Sequence, residues 1–141
     1  MGDGAAGKSS FRRRNGAKCA FRMSIISWKK CRITTFLGAY EDGKCVGVAV
    51  LQEAMFKYMY LLDLKVNRDC REKIIGRRLI DCAKQLAAER GYRGIYTQGQ
   101  NDNLGACRFY IRCGFRIGGL DTDVYMGTKQ EGKSDIYFYL D

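Results

Sequence analysis

Tyr58-Met-Tyr-Leu-Leu-Asp-Leu-Lys-Val66 ends an apolar run, and after four intervening residues Arg71-Glu-Lys-Ile-Ile-Gly76 opens an amphipathic stretch that lasts to Arg90. The nine residues of the first stretch, rich in aromatic and aliphatic side chains, predict a strand central to a sheet. In the second, Ile75, Leu79, Cys82, Ala83 and Leu86 fall on one helical face and Gly91 stands at the C-cap, so 71–90 reads as a helix. A helix that starts among Arg71, Lys73, Arg77 and Arg78 presents unpaired N–H groups and positive charge, which together suit a pyrophosphate. The alternative is an ordinary basic first turn with solvated arginines.

Outward from this centre the elements alternate. Residues 33–40 and 44–51 predict two strands, and Glu41-Asp42-Gly43 between them supplies the positive φ of a tight hairpin turn. After the helix, 94–98 is a short strand. Asn103-Leu-Gly-Ala-Cys-Arg-Phe-Tyr-Ile-Arg-Cys-Gly-Phe115 then gives a second helix over 103–113 with Gly114 as its cap. Residues 115–125 and 134–140 predict a final strand pair. The order implies an α/β domain with a mixed sheet flanked by helices. Residues 19–28 fit helix and strand equally.

This order of elements, with Arg71-Glu-Lys-Ile-Ile-Gly76 at the start of the helix and Asn103 to Phe115 after the next strand, resembles the GNAT superfamily of N-acetyltransferases. Gly118-Gly-Leu-Asp-Thr-Asp-Val-Tyr-Met-Gly127 and Asp135-Ile-Tyr-Phe-Tyr-Leu140 resemble the last hairpin of its streptothricin (nourseothricin) acetyltransferases. The likeness covers roughly residues 36 to 141. It divides the chain into a basic, atypical segment 1–31 and a GNAT domain 32–141. The N-terminal part looks atypical or shortened, because the strand and two helices that normally open such a domain have no clear counterpart.

The resemblance implies acetyl transfer from acetyl-CoA to a primary amine, with a streptothricin-like antibiotic as one acceptor and a peptide or polyamine amine as others. It implies that Arg71, Glu72, Lys73, Ile74, Gly76 and Arg77 form the acetyl-CoA loop. Ile74 stands where the family usually has glycine. If that position needs positive φ, a β-branched residue there costs on the order of 1 to 3 kcal/mol. Leu64 and Val66 are implied beside pantetheine, between strands that splay apart, with the Val66 N–H near the acetyl oxygen. Asn103, Ala106 and Tyr110 follow along the second helix. Tyr110 takes the place of the general acid that protonates the departing thiolate. On spacing alone Tyr110 reads more readily as a core aromatic beside Phe109.

For the acceptor side, Asp63, Gln98, Asp121 and Tyr125 are the candidates. Streptothricin-type enzymes carry Glu-Asp where this chain has Leu62-Asp63, and an acid where Gln98 stands. Asp63 therefore either orients an ammonium or pairs with a basic neighbour. Asp121 and Tyr125 either line the acceptor pocket or serve turn capping and strand packing.

The 141 residues, 46% of them apolar, bound one compact domain. With no histidine, neither a Ser-His nor a Cys-His nucleophile pair can be assembled within the chain. Seven cysteines without a Cys-x-x-Cys pair argue for no metal and for reduced thiols in a cytoplasmic protein. No apolar run reaches the about 20 residues that span a membrane. The charge of +10 is uneven, since residues 1–37 hold nine lysines and arginines against Asp3 alone. With Phe11, Phe21 and Trp28 interleaved, this run suits either nucleic-acid contact or a solvated leader whose first ten residues lack order. A basic run alone is a weak motif, so the expected partners are a small amine and a possible second copy in a homodimer and no membrane, the alternative being a non-catalytic chain that binds nucleic acid or an acidic partner through this run.

Overall fold

The computed structural model describes residues 22–30, 32–54, 56–70 and 74–141, with side chains from Thr34 onward. Among these residues the chain forms β1 (Arg22–Lys30), β2 (Arg32–Glu41), β3 (Lys44–Gln52), β4 (Tyr58–Val66), α1 (Ile75–Glu89), β5 (Gly94–Gln100), α2 (Leu104–Arg112), β6 (Arg116–Asp121) and β7 (Asp135–Leu140), with a 3-10 turn at Arg68–Cys70. The strands make one mixed sheet in the order β1-β2-β3-β4-β5-β7-β6. Every pairing is antiparallel except β4 with β5.

The stretch that fits helix and strand equally is a strand from Arg22, paired along its length with β2. The expected disorder of 1–10 lies outside the described residues. Asp42 and Gly43 turn the β2–β3 hairpin with φ of 49° and 78°, the two positive values such a turn requires. Helix α1 is described from Ile75 and not from Arg71, since residues 71–73 lie outside the described residues. Gly91, at φ 82°, closes it with its N–H on the Ala88 carbonyl. Strand β6 stops at Asp121 and not at Tyr125. The Asp121 carboxylate accepts the N–H groups of Asp123 and Val124, and that side-chain bond turns the chain off the sheet.

Both helices lie on one sheet face. Ile75, Leu79, Ile80, Ala83, Leu86 and Ala87 of α1 are buried against β2 to β5, over Leu37, Ala49, Leu51, Met59, Leu61 and Ile95. Each such Leu or Ile contributes about 1.5 to 3 kcal/mol through its burial. A Cβ built on Gly47 would lie 3.0 Å from Leu79 Cδ1, so the helix approaches β3 closely because that position has no side chain. The opposite face carries a row of tyrosines, Tyr60, Tyr96 and Tyr139, with ring centroids 5.0 and 5.7 Å apart. No described helix covers it.

Candidate active site

The β4–β5 ladder holds for only three pairs, Tyr58 with Gly94, Met59 with Ile95 and Tyr60 with Tyr96, although β4 continues to Val66 and β5 to Gln100. Two features end it. On its other side β4 carries a bulge, because Leu51 pairs with Leu61 while Val50 pairs with Asp63, leaving Leu62 as the extra residue. The bulge switches which residues face inward: Met59 and Leu61 point to the core before it, Leu64 and Val66 after it. At the same level the buried Thr97 donates its hydroxyl to the Leu61 carbonyl at 2.9 Å, a side-chain bond just where the backbone ladder stops. The strands beyond are splayed, as the pantetheine site requires.

The direction of the β4 amides follows from one hydrogen bond. Asn67 N–H donates to the Val46 carbonyl on β3 at 2.8 Å. Successive N–H groups of a strand alternate sides, so those of Val66 and Leu64 point the other way, into the gap toward β5. Val66 itself sits beside the first turn of α1. A Cβ on Gly76 would stand 3.6 Å from Val66 Cγ2 and 3.1 Å from the Phe109 ring. Gly76 thus lets strand, helix α1 and helix α2 converge at one end of the gap.

Of the loop residues, Arg71, Glu72 and Lys73 lie outside the described residues. Ile74 has φ −64° and an exposed side chain, so the left-handed strain weighed for it does not arise. Arg77 donates from Nη1 to the Arg112 carbonyl at 3.1 Å, tying the start of α1 to the end of α2. Asn103 caps α2, its side-chain oxygen accepting the Ala106 N–H at 3.2 Å.

Tyr110 faces the gap from α2. Its ring packs among Phe109, Phe115 and Phe138, at centroid distances of 5.6, 5.3 and 5.3 Å. The ring is thus packed against the core, as the reading beside Phe109 has it. Burial raises the phenol above its usual range, the Thr97 bond draws it down, and the Asp63 charge adds to the rise.

Around the mouth, Asp63 pairs with Lys65 at 2.9 Å, an exposed pair of little energetic weight. Gln98 accepts the Tyr60 hydroxyl at 3.0 Å. Tyr60 is raised mainly by burial, then by Tyr96 and by Asp135. Asp121 is spent on its own turn. Tyr125 donates to the buried Asp135 carboxylate at 2.8 Å and accepts from Gln100 at 2.8 Å, anchoring the 122–134 segment to the sheet. The bond to Asp135 holds the Tyr125 phenol up.

Residues 9–115 match the model of the acetyltransferase (GNAT) family. The chain belongs to that family. Streptothricin acetyltransferase of Streptomyces lavendulae is 36% identical over 107 residues, 75% of this GNAT chain and 57% of the relative. A Bacillus anthracis protein crystallised with acetyl coenzyme A, and described as a streptothricin acetyltransferase, is 38% identical with a TM-score of 0.71, covering 79% of this chain and 63% of its own. Nourseothricin acetyltransferase follows at 30% and 0.69, covering 76% and 64%. The chain spans a little over half the length of the curated relatives it matches.

Three residues of this GNAT site escaped the sequence reading: Tyr60, Thr97 and Asp135. Thr97 carried a signal, as the one hydroxyl on the inward face Ile95, Thr97, Gly99. Asp135 carried a weaker one, a carboxylate at the first position of an apolar strand.

Proposed function

We propose that this GNAT chain transfers acetyl from acetyl-CoA to a primary amine, a streptothricin-like cation being the acceptor the relatives favour. The observation that supports this best is the splayed β4–β5 gap with the Val66 N–H aimed into it and the Tyr110 hydroxyl across it. The residues fit the co-substrate: an extended pantetheine can take the place of the missing ladder, and Val66 N–H is a donor for the charge that develops on the acetyl oxygen. Tyr110, kept protonated by burial, supplies a proton to the leaving thiolate. The acceptor attacks as a neutral amine, and no covalent acetyl-enzyme is needed.

A cationic acceptor suits the face that no described helix covers. Tyr60, Tyr96 and Tyr137 stand on that face with Asp135 near Tyr60, and an ammonium is attracted by aromatic rings and by a carboxylate alike. Lys65 already holds Asp63 with an ammonium, and an acceptor amine would exchange with it.

The test is thiol release from acetyl-CoA by the purified chain, with streptothricin, spermidine and a peptide amine offered in turn. Release that depends on streptothricin supports the whole reading. Release with spermidine or peptide alone keeps the reaction and replaces the acceptor. No release with any amine, together with no acetyl-CoA binding in calorimetry, overturns the reading.

A further inference from the structure

Strand β6 is last in the sheet order, paired with β7 on one side and with no described strand on the other. Such an edge leaves backbone N–H and C=O groups without a ladder partner and offers them to another chain. The edge reads Arg116-Ile-Gly-Gly-Leu-Asp121: cation, apolar, glycine, glycine, apolar, anion. Reversed, it is its own complement. Ile117 and Leu120 are both 61% exposed, although they pair with Phe138 and Ile136, which belong to the core or pack on it.

A reversed copy can use that complement only if the residues set opposite each other share a sheet face. In a regular strand Ile117 and Leu120 would stand on opposite faces, and so would Arg116 and Asp121. The bulge removes the conflict. Ile117 pairs with Phe138 and Gly119 with Tyr137, which leaves Gly118 as the extra residue. Beyond it the alternation resumes one residue late, so Ile117 and Leu120 both stand on the face of Phe138 and Ile136, where α2 lies. Arg116 and Asp121 both stand on the tyrosine face, Arg116 with its guanidinium 5.2 Å from the centre of the Tyr139 ring. The two glycines share that face, since a Cβ on Gly118 would meet the Tyr139 ring and one on Gly119 the Tyr137 ring.

We propose that β6 pairs antiparallel with β6 of a second copy, about a two-fold axis between Gly118 and Gly119. Arg116 then lies opposite Asp121, Ile117 opposite Leu120, and bulge opposite bulge. The contact is isologous and closes at two chains. Each cross-strand pair occurs twice, and a slipped register loses both kinds. The glycines at the axis bring no side chain to obstruct the approach. Both charged groups have capacity left for the contact. Asp121 accepts the Asp123 and Val124 N–H groups on Oδ1 alone, and Arg116 donates to Tyr58 and Asp141 from Nη2 alone. The reaction has no part in the inference, because β7 and β5 separate β6 from the β4–β5 gap.

Sedimentation equilibrium of the full chain is the experiment. The parent should run at twice the 16.0 kDa of one chain when loaded at about 100 µM, with Kd on the order of 10 µM, as an interface of one short strand implies. Ile117→Lys and Leu120→Glu, both at exposed positions, each set a charge against an apolar side chain across the axis. Either variant alone should be monomeric, with Kd raised at least about tenfold. Mixed in equal amounts, the two should recover the dimer, because at one crossing the new cation faces the new anion and at the other the Ile117–Leu120 pair is intact. An unfolded variant would not be rescued by its partner, so recovery separates a lost interface from a lost fold. A parent that stays monomeric at that loading, a dimer that neither substitution weakens, or a mixture that does not recover overturns the proposal.

Discussion

Tyr110 joins two demands that usually conflict, a ring that belongs to the core and a hydroxyl that the proposed reaction needs in the gap. Because Phe109, Phe115 and Phe138 hold the ring, Tyr110→Phe should leave the melting temperature within a few degrees of the parent while turnover drops on the order of 10²-fold. A calorimetric melt beside a thiol-release assay checks both halves, and a fall in stability equal to the fall in activity would refute the division. Gly94 is the opposite case, a residue with only a structural duty. A Cβ there would overlap the Leu140 carbonyl oxygen, and Ile95 pairs with Leu140 in the same ladder, so neither backbone can withdraw freely. Gly94→Ala should cost about 3 kcal/mol, at the upper end for overpacking, and lower the melting temperature by about 10 °C.

Among the elements, the strand β4 decides the site, and its bulge was written in the sequence. The inward residues Met59 and Leu61 are odd-numbered, Leu64 and Val66 even-numbered, and the polar Asp63 and Lys65 keep their own spacing. What hid it was Leu62, apolar like its neighbours, so that the run scans as one regular buried strand. The other elements were legible because their periods were clean and their caps present: Asp42-Gly43, Gly91, Asn103 and Gly114 each sit where the chemistry of turns and caps demands. The start of β1 was not, since its apolar residues fit either period. The end of β6 was misjudged because an aspartate that caps a turn and one that lines a pocket look alike in sequence. Deleting Leu62 tests the bulge directly. The register with β3 and the inward set are preserved without it, so the variant should fold. The strand loses its kink, and the β4–β5 ladder can continue past Tyr60 into the gap. The expected result is a cooperative melt with acetyl-CoA binding weakened at least about tenfold in calorimetry. Undiminished binding would show that the splay does not depend on the bulge.

At the scale of the molecule, the sheet has two unlike faces, one buried under α1 and α2 and one that carries the tyrosine row with no described helix over it. Phenols near the join of those faces couple folding to alkaline pH. Tyr110 and Tyr60 are both raised, chiefly by burial, so the folded chain holds their protons above the pH at which the unfolded chain, with phenols near about 10, releases them. The sign follows: their contribution is complete below about pH 10 and is lost as pH rises through that value toward the folded midpoints, because ionisation then favours the unfolded state. An opposing trend runs beside it. The charge of +10 at neutral pH shrinks as the lysines titrate, which relieves self-repulsion and favours the compact state. The two are separated by comparison with Tyr110→Phe, which keeps every lysine and removes one phenol. Urea midpoints measured from pH 8 to 11 should therefore fall less steeply above about pH 10 in the variant than in the parent, while the two curves run together below pH 9. Parallel curves throughout would mean that Tyr110 ionises alike in both states, and that its hydroxyl is open to water in the folded chain.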